Sequence, residues 1–212
     1  MHIEVLEGRR MLSASLSSTG IVTVTGTSAA DEIVITRDLT HHQLVVKQEL
    51  RAGGGESTTR FALAKVKSIV VNAGAGNDEV TLGSAVPFAA TINGGDGNDQ
   101  LTGGAGNDII NGGNGNDEIF GGAGNDILNG NAGNDHITGG AGADKLNGGD
   151  GNDQLFAVDN SAHDTVNGGN NTAAGDQAFI DRGDIVTAVE HVKIGLNGGN
   201  GNGGTDDGSG HH

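Results

Sequence analysis

Between residues 94 and 156 the chain repeats one nonapeptide pattern seven times without interruption: GGDGNDQLT, GGAGNDIIN, GGNGNDEIF, GGAGNDILN, GNAGNDHIT, GGAGADKLN and GGDGNDQLF. Glycine and polar bias without a period would mean a disordered chain, so the fixed interval is what decides against disorder. The consensus GGxGxDxUx, with U apolar, divides into a six-residue turn and a three-residue strand with one inward side chain. A weaker copy, AGAGNDEVT at 73–81, precedes the run, and DNSAHDTVN at 159–167 and a stretched GGNNTAAGDQAF follow it.

Composition supports that reading by elimination. Glycine accounts for 41 of 212 residues, Trp and Tyr are absent, and Pro87 is the single proline, which excludes both an ordinary globular core and collagen. With no cysteine, neither disulfides nor thiolate metal sites are available. The formal net charge of -16 is unevenly placed. Residues 73–178 hold fifteen acids and one base, Lys145, a net of -14; the remainder holds twelve acids and ten bases, a net of -2. Such a field repels a phosphate backbone, so nucleic acid is not an expected partner, and it attracts cations. No run of eighteen apolar residues is present to span a membrane.

The turn has its own chemistry. Glycine at positions 1, 2 and 4 permits positive φ and close backbone approach, so the turn can aim carbonyl oxygens inward, and the aspartate at position 6 adds a carboxylate. Hard oxygens in a flexible loop suit calcium better than zinc, which favours nitrogen and sulfur, or magnesium, which resists dehydration.

The seven tandem copies resemble the repeats-in-toxin, or hemolysin-type, calcium-binding repeat family. The resemblance implies an all-β fold: a right-handed parallel β-roll, a solenoid of calcium-binding nonapeptides. Two nonapeptides make one coil of eighteen residues, so like turns recur along each edge about 4.8 Å apart. One edge then carries Asp78, Asp99, Asp117, Asp135, Asp153 and Asp176, and the other Asp108, Asp126, Asp144 and Asp164. These ten aspartates are the expected metal ligands. With an ion between neighbouring turns, as the resemblance implies, the edges offer about eight calcium sites. Without ions, the stacked carboxylates repel and the roll is expected to be unstable.

The inward residues are expected to be Val80, Ile92, Leu101, Ile110, Ile119, Leu128, Ile137, Leu146, Leu155 and Val166. On the outer faces, Asn93, Asn111, Asn129, Asn147 and Asn167 fall in register as a side-chain ladder, while Ile109, Ile127, Phe120 and Phe156 are exposed. Upstream, GIVTVTG, DEIVIT and HQLVVKQEL alternate as strands with Val22, Val24, Ile33, Ile35, Leu44, Val46 and Leu50 inward; AGGGES reads as a hairpin tip and TRFALA as its return. GTSAADEIV already anticipates the repeat at Asp31 and Ile33. The expected organisation is an arm at 1–16, a strand-rich N-terminal cap at 17–72, the roll at 73–178, C-terminal cap strands at 179–194 and a glycine-rich tail at 195–212.

Neither an HExxH zinc-protease motif nor a GxSxG nucleophile elbow is present, and the eight histidines form no metal constellation, so no enzymatic role is expected. Position 3 lacks the threonine array of an ice-binding surface. LEGRRML at 6–12 is similar to the LEPR-XLL segment of bacterial surface and secreted proteins: Leu6, Glu7, Arg9 and Leu12 match, Gly8 replaces proline and Met11 replaces leucine. The expectation is an extracellular or surface protein that folds on calcium and serves as a structural, matrix or adhesive module. Head-to-tail self-association is expected of its unlike ends, and calcium-dependent polysaccharide binding is the alternative function.

Overall fold

The short strands expected from the repeat are present in the computed structural model, which describes residues 12–51, 54–159, 163–170, 175–181 and 183–194. In chain order they begin with β1 (Ser13–Leu16), β2 (Ile21–Thr25), β3 (Asp31–Asp38), β4 (Gln43–Leu50), β5 (Gly54–Ala62), β6 (Ser68–Ala75) and β7 (Glu79–Leu82). The regular repeats supply β8 (Ala90–Asp96), β9 (Gln100–Thr102), β10 (Ile109–Asn114), β11 (Glu118–Ala123), β12 (Ile127–Ala132), β13 (His136–Ala141), β14 (Lys145–Asp150) and β15 (Gln154–Ala157). They are followed by β16 (Thr165–Asn170), β17 (Gln177–Ile180), β18 (Ile185–Thr187) and β19 (His191–Ile194).

Alternate strands go to opposite sheets. One sheet runs β1-β2-β6-β8-β10-β12-β14-β16-β18 and the other β19-β17-β15-β13-β11-β9-β7-β3-β4-β5. In the regular region each strand pairs in parallel with the one eighteen residues away, as Ile110 does with Leu128 and Ile119 with Ile137. Antiparallel pairing is confined to the N-terminal end, where β1 lies on β2 and the β4–β5 hairpin extends the second sheet from β3. The stack begins before the recognisable repeats, because β2 and β3 already pair in parallel with β6 and β7.

Strand period 2 explains the thin core. Along β10, β13 and β14 the aliphatic residue at position 8 and the glycine at position 1 face inward while their neighbours face out. One inner row runs Val24, Val71, Ile92, Ile110, Leu128, Leu146 and Val166, and the other Ile33, Val80, Leu101, Ile119, Ile137 and Leu155, every one fully buried. All ten inward residues expected from the repeat are therefore in place. Leu44 and Val46 of β4 are also buried, but Leu50 is only partly so, at an irregularity in the β4–β5 register.

The outer faces differ. Asn93, Asn111, Asn129 and Asn147 each donate Nδ2 to the Oδ1 of the previous asparagine at 2.8 to 2.9 Å, and the ladder starts one coil earlier than expected, at Asn72. On the second sheet Phe120 is exposed, whereas Phe156 stacks on Phe179 with centroids 4.5 Å apart and planes within 4°. His136 tilts onto Phe156, and Lys193 Nζ lies 4.8 Å from the Phe179 ring.

The two ends are unlike. Phe61, Leu63, Ala14 and Leu16 pack over the core at the N-terminal end. At the other end Val192 and Ile194 continue inner rows yet are 44% and 57% exposed, because no further strand is described beyond them.

With a single aliphatic residue per strand, each inner-row side chain matters. Ile119→Ala is expected to cost about 2–4 kcal/mol, whereas Ile109→Thr on the outer face should change stability by less than about 0.5 kcal/mol. Urea denaturation at saturating calcium, comparing both variants with the parent, measures the difference.

Candidate metal centre

Position 6 of every regular turn places an aspartate at the rim of the stack with its side chain directed inward, and these carboxylates are buried to 3% exposure or less. They are linked along each edge. On the first edge the Oδ1 of Asp78 accepts the backbone N–H of Asp31, Asp99 that of Asp78, Asp117 that of Asp99, Asp135 that of Asp117, Asp153 that of Asp135 and Asp176 that of Asp153, at 2.7 to 2.9 Å. On the second edge Asp108 accepts from Ala90, Asp126 from Asp108, Asp144 from Asp126 and Asp164 from Asp144, at 2.7 to 2.8 Å. All ten aspartates singled out in the sequence thus fall into two rows.

The rows are longer than the repeat indicates. Glu190 Oε2 accepts the Asp176 N–H at 2.8 Å, and Asp184 Oδ1 accepts the Asp164 N–H at 3.0 Å. Neither acid keeps the eighteen-residue interval: Asp184 lies twenty residues after Asp164 and Glu190 fourteen after Asp176, so periodicity alone does not find them.

The second carboxylate oxygen carries the chemistry. Oδ2 of Asp78, Asp99, Asp117, Asp126, Asp135, Asp144, Asp153 and Asp164 is buried with no hydrogen-bond partner. Orphan buried acceptors are costly and rare, and eight in register form the kind of site that a cation would satisfy. The first member of each row is different. Asp31 Oδ2 accepts the Thr27 N–H at 2.5 Å and Asp108 Oδ2 the Gly104 N–H at 2.8 Å, so each is satisfied within its own turn.

Backbone oxygens surround the orphans. A Cβ at Gly112 would meet Asp117 Oδ2 and lie 2.8 Å from the carbonyl oxygen of Gly130 in the next turn. The absent side chain therefore leaves a cradle shared by a carboxylate of one turn and a carbonyl of its neighbour. At position 4, Gly115 has a φ of 124°, which L side chains rarely adopt, and its Cα faces the Gly97 carbonyl of the preceding turn. Asn131 takes the equivalent left-handed slot at position 2, with a φ of 78°. Among the described residues no three carboxylate or imidazole side chains form a metal cluster, so a cation here must draw on carboxylates and main-chain carbonyls together. That donor set of oxygens alone fits calcium.

Residues 88–119 and 120–155 match the RTX calcium-binding nonapeptide repeat (4 copies). Those residues are RTX calcium-binding repeats. The chain is therefore a calcium-binding protein with the β-roll characteristic of those repeats, a structural calcium-binding fold. No curated protein matches it significantly. No described helix is long and apolar enough to cross a membrane. The LEPR-XLL-like segment, apart from Leu12, and the glycine-rich tail lie outside the described residues.

Burial raises the aspartate pKa values of the RTX roll. Asp78, Asp117 and Asp126 are pushed up to about 7, and Asp135, Asp153 and Asp164 to about 6, chiefly by desolvation. The N–H bond to each Oδ1 acts in the opposite direction, and at most of these positions neighbouring carboxylates add to the rise.

Two expectations follow from this geometry. Gly112→Ala should abolish or severely weaken calcium-induced folding, whereas Gly83→Ala should be tolerated because its Cβ would meet nothing closer than 3.6 Å; calcium titrations followed by circular dichroism compare them. The second concerns protons. The folded, calcium-free roll binds protons more tightly than the unfolded chain, whose aspartates titrate near about 4. The resulting destabilisation is complete above about pH 7 and disappears as pH falls towards about 4. In excess chelator, acidification from pH 8 to about 4.5 should therefore increase the β signal; an unchanged or decreasing signal would contradict the burial of these groups.

Proposed function

We propose that this protein is an extracellular or cell-surface structural module that assembles on calcium. In this reading the ligands are Asp78, Asp99, Asp108, Asp117, Asp126, Asp135, Asp144, Asp153, Asp164 and Asp176, with turn carbonyls completing about eight sites. The observation that carries it is the register of eight buried aspartate oxygens without donors. A bound calcium ion supplies two positive charges between turns that otherwise repel. Extracellular calcium is near millimolar and suits weak sites of this class, with dissociation constants of roughly 0.1–1 mM. The working division is an arm at 1–16, a cap at 17–72, the roll at 73–178, closing strands at 179–194 and a tail at 195–212.

Head-to-tail association extends this reading. The outer strands β18 and β19 end the described stack with bare edges and with Val192 and Ile194 exposed, while the opposite end is built differently, from β1 and the β4–β5 hairpin. Unlike ends make heterologous contacts, which propagate as filaments rather than close as dimers. A second reading, calcium-dependent binding of surface polysaccharide, is favoured by Phe120, exposed on the outer face of the second sheet in the column that also carries Phe156 and Phe179, since sugar rings stack on exposed aromatic faces.

In excess chelator at neutral pH the protein is expected to show coil, and millimolar calcium should produce β structure; a persistent β signal in chelator would overturn calcium-driven folding. Asp117→Asn should raise the calcium midpoint about tenfold or more, equivalent to about 1.4 kcal/mol, and Asp31→Asn much less, because Asp31 is satisfied by its own turn. Light scattering of the calcium-loaded protein separates the assembly states: strictly monomeric particles at all concentrations would remove the filament, and glycan arrays would then test the polysaccharide reading.

A further inference from the structure

The residue beside each ligand aspartate makes a second ladder, directed opposite to the first. At position 5 of the first edge, Asn77 Oδ1 accepts the backbone N–H of Asn98, Asn98 that of Asn116, Asn116 that of Asn134 and Asn134 that of Asn152, at 2.7 to 3.0 Å. On the second edge Asn107 accepts from Asn125, and Asn125 from Ala143, at 2.9 and 3.0 Å. The asparagine of one turn therefore holds the next turn, whereas the aspartate of the next turn holds the one before it.

Backbone bonds use the neighbouring donors. At position 4 the Gly97 N–H goes to the Asn114 carbonyl at 2.8 Å, and at position 7 the Glu118 N–H goes to the Asp99 carbonyl at 2.8 Å. Between them, the donors at positions 5 and 6 go to side-chain oxygens and make no demand on the glycine carbonyls that face the gap between turns. Each junction is thus spanned by two short, opposed side-chain links beside the orphan Oδ2. The asparagine ladder on the second edge stops at the last regular repeat of that edge: Ala143 donates its N–H but carries no side-chain acceptor.

We infer that the position-5 asparagines are positioning residues that fix the gap between adjacent turns and so set the size of cation the roll accepts. They touch no ion; they act by holding the carboxylate and carbonyl oxygens of consecutive turns at one separation. The inference rests on the reading that the aspartate rows hold calcium. A parent protein that bound no calcium would remove that reading, whereas the variants below test the ladder itself.

The test compares calcium and strontium, ions of equal charge and different radius, by calorimetric titration of the full chain carrying Asn116→Ala. Without the acceptor the gap can widen, so the ratio of calcium to strontium affinity is expected to fall by roughly fivefold, the scale of one net hydrogen bond. Exchange of the Asn134 amide in the calcium-loaded protein should accelerate, and Asn116→Asp, which keeps an acceptor oxygen, should restore the ratio. An unchanged ratio, whether or not both affinities fall together, overturns the inference and leaves a merely structural role; so does failure of Asn116→Asp to restore it. If Asn116→Ala does not fold at saturating calcium, the same measurements on Asn107→Ala, at the start of the second edge, decide between these outcomes.

Discussion

Two rows of buried aspartates govern this structure. Stacking identical turns brings like carboxylates into register, and the hydrogen bond from each neighbour's N–H satisfies only one oxygen of each pair. Desolvation of the other oxygen opposes folding, and one aliphatic residue per strand gives the core little with which to offset it. Under the proposed reading the fold is therefore conditional on a charge that the chain does not carry. In that reading cation binding is inseparable from stability, because the interaction that loads the proposed sites is also the one that allows the coils to stack.

The glycine content follows from the same constraint. Position 1 cannot carry a side chain, because a Cβ at Gly112, Gly130 or Gly148 would occupy the space beside the orphan carboxylate and the next carbonyl. Position 4 adopts left-handed backbone in turns such as those of Gly97 and Gly115. Asn131 marks the limit of substitution: position 2 accepts a residue that tolerates positive φ, although glycine fills that position in the other six regular repeats.

Much of this was legible in the sequence because the period is strict. Eighteen-residue register, the inner aliphatic rows, the two aspartate edges and the Asn93–Asn147 ladder all follow from counting by nine. What escaped lies where the count fails or where a residue type carries no obvious chemistry. Asp184 and Glu190 extend the rows from turns of irregular length, which only three-dimensional stacking aligns. Position 5 stands as a variable position in the consensus GGxGxDxUx, although asparagine fills it in six of the seven regular repeats; a side chain that accepts a backbone N–H eighteen residues away leaves no local pattern to read. Phe156 was expected to be exposed and is instead partly covered by Phe179, because the stretched final copies bring a second ring into the same column.

The row ends show how such a stack can stop. An internal aspartate leaves Oδ2 without a donor, but Asp31 receives Thr27 N–H and Asp108 receives Gly104 N–H, so each row opens on a carboxylate whose second oxygen is satisfied by its own turn. The second edge closes in the same manner, for Asp184 accepts N–H bonds on both oxygens, from Asp164 at 3.0 Å and Asp181 at 2.7 Å. A terminal turn has a neighbour on one side only and could offer an ion half the oxygens of an internal gap. Main-chain donors at these positions let the rows end without an orphan buried oxygen. GTSAAD, which opens the first row, and Asp181 to Asp184, which close the second, are thus places where the chain supplies from its own backbone the partner that, in the proposed reading, a cation supplies in the interior.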